Sequence, residues 1–146
     1  MIHTWAVKWG IPPAALTDLL TSLGAVMQPD SSTAAPGSEA AVQNAVRMEA
    51  ARRGMRLFRN NLGSYIDERG VPVRYGLANE SKKINSVVKS SDLIGIGPDG
   101  RFLAYEVKKN GWVYRATDRE KAQLAFITFI NMMGGRAAFI TSPEQL

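Results

Sequence analysis

The sequence predicts an α/β fold with a mixed central sheet flanked by helices, and three observations predict it. Two short apolar runs, Leu93–Ile96 and Phe102–Val107, flank Gly97-Pro98-Asp99-Gly100, a strong turn signal, so the pair reads as a hairpin. Thr117 and Glu120 form a T-x-x-E capping box ahead of an apolar helix that stops at Gly134-Gly135. A last run, residues 136–141, reads as a strand after that helix.

The other elements follow in chain order. Residues 1–27 read as a small helical unit: Pro12-Pro13 suits a helix start, and Leu16, Leu19, Leu20 and Leu23 follow at helical spacing. Residues 28–38 are rich in Ser, Pro, Gly and Ala, a linker composition, which divides the chain into an extension over 1–37 and a domain over 38–146. A second helix is expected over 39–53, with Ser38 as N-cap and Gly54 at its C-terminus. Residues 55–59 read as a strand leading into Asn60-Asn61 and Gly63. Residues 67–91 are less regular. Val71-Pro72-Val73 fits an edge strand or a loop, because proline cannot donate to a ladder. Lys82, Lys83 and Lys89 make this part basic and exposed.

Composition narrows the chemistry. The chain has 146 residues, 45% hydrophobic and 21% charged, enough to bury a core as an ordinary globular protein. It has no cysteine, which excludes thiolate metal sites, disulfides and cysteine catalysis. Its one histidine, His3, argues against a His-rich metal site or a Ser-His-Asp triad. The net charge is +5, from 18 Lys+Arg against 13 Asp+Glu, which suits a polyanionic partner such as nucleic acid and equally an ordinary surface. No stretch approaches a membrane span, and residues 1–10 lack the basic start and apolar run of a signal peptide.

The hairpin register carries the sharpest reading. Asp92 lies seven residues before Asp99 and Glu106 seven after it, so a loop of three or five residues centred on Asp99 sets the two acids opposite each other. Opposed Cβ atoms sit about 5 Å apart. Two carboxylates that close repel unless a positive charge lies between them, and oxygen donors suit Mg²⁺ or Mn²⁺. Lys108, two residues after Glu106, shares its face of the strand. An ammonium there can stabilise charge developing on a phosphate or orient an attacking water. Glu-x-Lys on a strand also fits an exposed ion-paired face, and Asp92 also fits a turn residue. The apolar runs around both acids instead suggest strands buried in the sheet.

The segment SSDLIGIGPDGRFLAYEVKK resembles the core of PD-(D/E)xK nucleases, the restriction-endonuclease-like fold. Its closer match is the virus-type replication-repair nuclease (VRR-NUC) domain. SEAAVQNAVRMEAARRGMRLFRNNLG resembles that family's opening helix and first strand, and EKAQLAFITFINMMGGRAAFI its glutamine-bearing helix and last strand. RYGLANESKKINSVVKSSDLIGI resembles its approach to the catalytic aspartate, with a longer insert here. The likeness covers residues 38–146.

The resemblance implies that Asp92 and Glu106 bind a Mg²⁺ or Mn²⁺ ion together with the Val107 carbonyl. It implies that Lys108 is the catalytic lysine and that Gln123 lies by the site. Glu39, with Gln43, fits the opening-helix pattern, with Glu49 as its rival; both fall on one broad helix face. It further implies a stand-alone protein of the bacteriophage type, a homodimer in the host cytoplasm that cuts branched DNA, above all four-way junctions. Arg52, Arg53, Arg56, Arg59, Lys109, Arg115 and Arg119 are the expected phosphate contacts, which position DNA without reading its sequence. A restriction-type or nicking endonuclease on the same fold, and a non-catalytic nucleic-acid-binding module, are the alternatives.

Overall fold

Each helix of the domain starts where a side chain can close its first turn. The computed structural model describes residues 2–27 and 34–146. Ser38 Oγ accepts from Ala41 N at 3.1 Å and opens α3, Glu39–Arg52. Ser81 Oγ accepts from Ile84 N at 3.1 Å and opens α4, Lys82–Val87. At α5, Asp118–Met132, the capping box forms in full: Thr117 Oγ1 accepts from Glu120 N, and Glu120 Oε2 accepts from Thr117 N. Each cap satisfies backbone N–H groups that have no partner inside the helix. Gly54 ends α3 at a φ of +75°, a left-handed conformation that glycine adopts at no steric cost.

Four strands form the main sheet in the order β1 (Arg56–Arg59), β4 (Leu93–Ile96), β5 (Phe102–Val107), β6 (Arg136–Ile140). β1 with β4 and β4 with β5 are antiparallel, whereas β5 and β6 are parallel and joined by α5. The sheet is thus mixed. A Cβ on Gly95 would collide with the Arg56 carbonyl, which explains a glycine inside the apolar run of β4.

The sheet separates two cores. Leu103, Tyr105 and Val107 of β5 pack with Leu57, Leu93 and Val46 and Ala50 of α3. Ala104, with Phe102 and Ile94, packs on the other face against Phe126 and Ile130 of α5. Burial of each such leucine or phenylalanine contributes about 1.5–3 kcal/mol.

The region left open by the sequence has structure of its own. Val71-Pro72-Val73 feeds β3 (Pro72–Tyr75), which pairs not with the main sheet but with β2 (Gly63–Ile66), a strand the sequence did not announce. The basic insert contains α4, with Lys82 and Lys83 exposed as expected, whereas Lys89 is half-buried and donates to Asn85 Oδ1 at 3.1 Å. The N-terminal residues form α1 (Ile2–Lys8) and α2 (Pro13–Met27), as expected. The expected linker falls largely on 28–33, outside the described residues. No described helix is long and apolar enough to cross a membrane.

Candidate active site

The hairpin loop has five residues, 97–101, and the register runs from Ile96 opposite Phe102 to Leu93 opposite Tyr105. One step further sets Asp92 opposite Glu106, as the symmetry about Asp99 requires. Both acids then lie on the α5 face, at the end of the sheet away from the turn.

Their hydrogen bonds show how each is held. Asp92 Oδ2 accepts from Val107 N at 3.0 Å. Glu106 is 2% exposed. Its Oε1 accepts from Lys108 Nζ at 2.9 Å and from Gln123 Nε2 of α5. Lys108 Nζ also donates to Gln123 Oε1 at 3.1 Å, closing a triangle of three side chains. Glu106 Oε2 is buried and has no hydrogen-bond partner. A buried carboxylate oxygen without a donor is costly, so this atom calls for a cation or a proton.

The electrostatics agree with that geometry. Burial, then the neighbouring Asp92, pushes the Glu106 carboxyl up to about 7, against the opposing pull of Lys108. Burial also raises Asp92, opposed by the Val107 N–H, Lys108, Arg119 and a carboxyl–carboxyl contact with Glu106, which forms a hydrogen bond when one of the two acids carries a proton. Two raised acids side by side match a site that takes up positive charge. Among the described residues no three His, Cys, Asp or Glu side chains gather together. Side chains would thus supply two carboxylates to an ion, with backbone, water and substrate oxygens completing its shell, a pattern usual for Mg²⁺.

Three further residues build the site without having been singled out in the sequence. Asn60, just past β1, donates from its backbone N to Asp92 O at 2.8 Å, and from Nδ2 to Ser90 Oγ and Ser91 O at 2.8 Å each. It fixes the backbone from which Asp92 projects. Trp112 and, from β6, Phe139 place their rings 5.7 Å from Lys108 Nζ, a cation–π arrangement that confines the ammonium. Only the Asn60-Asn61 doublet before a glycine hinted at any of this.

The remaining expectations divide by place. Glu39 stands exposed in the first turn of α3, the helix that packs on the opposite face of the sheet, and among the described residues it shares no ion pair with the other four. Glu49 is bound by Arg52 and Arg53, which hold its carboxyl down to about 2. Arg53 also donates to the Leu146 carbonyl, and Arg56 pairs across from Ile96 beside the hairpin turn. Arg52, Arg53 and Arg56 therefore lie away from Asp92. Arg59 pairs across from Leu93, next to Asp92, and Lys109, Arg115 and Arg119 stand exposed after β5. The charge of Arg119 reaches both acids. No protein-family model, curated protein or solved structure matches the chain.

Proposed function

We propose that this chain is a divalent-metal-dependent DNA endonuclease with a PD-(D/E)xK core of the VRR-NUC type. The observation that carries the reading is the unpartnered, buried Glu106 Oε2 beside Asp92, with the Lys108 ammonium on the same face. Asp92, Glu106 and the Val107 carbonyl would hold Mg²⁺ or Mn²⁺. Such an ion, when bound, supplies Lewis acidity to a phosphate and lowers the pKa of a coordinated water. Lys108 offers N–H donors to a phosphate oxygen where charge develops, or to the attacking water. Gln123 keeps Lys108 and Glu106 in register by bonding both.

The substrate part of the proposal is a four-way junction cut by a homodimer. One small site cuts one strand, so paired cuts call for a two-fold assembly. Lys109, Arg115 and Arg119, exposed on the chain that follows β5, and Arg59, at the same end of the sheet as Asp92, would hold the phosphates, which gives selection by DNA shape rather than sequence.

The test is cleavage of a synthetic four-way junction, a flap and a plain duplex, each with Mg²⁺ or Mn²⁺. The junction is expected to be cut in paired strands. Lys108→Ala is expected to lower the single-turnover rate by about 10²–10³, and Asp92→Ala to abolish cleavage. A wild-type chain that cuts none of the three with either metal ends the proposal. Preferred cutting of one duplex sequence would point instead to a restriction-type enzyme.

A further inference from the structure

Residues 109–117 join β5 to α5 as a strap beside Lys108, and the strap is firmly built. Glu120, 7% exposed, accepts from Trp112 Nε1, Arg115 N, Thr117 N and Thr117 Oγ1, each at 3.0 Å. Ala116 holds a φ of +56°, a left-handed backbone that residues with a Cβ rarely adopt. A segment pinned this way presents its side chains in fixed places, and conformations of this kind concentrate at binding sites.

Two rings of the strap, Trp112 and Tyr114, cluster with Phe139 of β6. Trp112 lies 4.9 Å from Phe139, Phe139 lies 5.9 Å from Tyr114, and Trp112 meets Tyr114 edge-on at 6.3 Å. Tyr114 is the most exposed of the three rings, 38% exposed. It borders an apolar groove along α5 lined by Leu124, Ala125 and Thr128, with Lys121 at the rim. Lys109 and Arg115 project from the same strap. An exposed ring packed on its neighbours, with Lys121 in the same groove lining and further cations on the same strap, is an arrangement that binds single strands: bases stack on the ring while cations follow the backbone. Duplex DNA hides its base faces in its own stack, so such a ring has nothing to meet there.

We infer that the strap is a single-strand-binding ledge on which Tyr114 stacks an unpaired base close to the cut phosphate, with Lys109 and Arg115 on the neighbouring phosphates. The place of the cut rests on the nuclease reading; the binding does not. The ledge narrows the substrate to DNA with an unpaired strand at the site, as at a branch point.

Fluorescence-anisotropy titrations of the full chain, with Ca²⁺ replacing Mg²⁺, test it on a labelled oligothymidylate and a blunt duplex of equal length. Tyr114→Leu keeps apolar bulk but cannot stack, and is expected to lower the ratio of single-strand to duplex affinity about tenfold. Tyr114→Phe is expected to keep that ratio. In the unaltered chain, a 2-aminopurine placed within the strand is expected to be quenched on binding. An unchanged ratio in Tyr114→Leu, an equal loss in Tyr114→Phe, or no quenching overturns the ledge. A chain that shows the ratio change yet cuts nothing keeps the ledge and loses the nuclease reading. A chain that cuts junctions with an unchanged ratio does the reverse.

Discussion

Glu106 is under opposing demands. Its burial and its neighbour Asp92 favour the protonated form, whereas Lys108 favours the carboxylate. The balance lies at about 7, above the ordinary 4.5, so the folded chain binds this proton more tightly than the unfolded chain does. The stability this gives is present below about 4.5 and is lost as pH rises through about 7. Urea midpoints measured in EDTA should therefore fall over that interval, and Glu106→Gln should flatten the slope while removing metal response. Gln123→Ala, which leaves the carboxylate and lysine in place but unbraced, is expected to weaken metal binding about 10–100-fold, read by Mn²⁺ titration. The acid pair was legible because turn symmetry is written in the spacing around Asp99. Asn60 was not, since its side-chain bonds reach residues 30 and 31 positions away and leave no local pattern. Nor could helix geometry choose between Glu39 and Glu49. The arginines that occupy Glu49 sit three and four residues further on, but only coordinates show them turned toward it.

Among the elements, those with chemical punctuation were readable. The β4–β5 hairpin has a Gly-Pro-Asp-Gly turn, α3 has Ser38 and Gly54, and α5 has its capping box. β2 and α4 lacked such contrast. Three of the four residues of β2 are exposed, so no buried face imposes alternation on Gly63-Ser64-Tyr65-Ile66. α4 spans six residues, too few to show a helical period, although Ser81 stands ready as its cap. Gly95 gives the test at this scale. Adding a methyl would drive β4 away from the Arg56 carbonyl, so Gly95→Ala should cost about 1–3 kcal/mol. The expected signature is a lower urea midpoint with an unchanged slope, because the surface exposed on unfolding stays the same.

Across the whole molecule, neither core cluster contains a residue before Val42. The described residues of the N-terminal unit bury only Ala6 and Leu16 among their apolar side chains. A chain of residues 38–146 should then melt within a few degrees of the full protein, as scanning calorimetry would show; a much lower transition would mean that the extension supports the core. The mixed sheet also has a kinetic consequence. The β4–β5 hairpin closes over a five-residue loop, but β6 can join only after the chain has crossed over through α5. Contacts close in sequence form faster than distant ones. Folding thus brings two acids together before Gln123 arrives to brace their lysine, so the early barrier already contains the repulsion that raises Glu106 in the finished protein. Acidification, or a divalent cation, should lift the refolding limb of the chevron more than it slows unfolding.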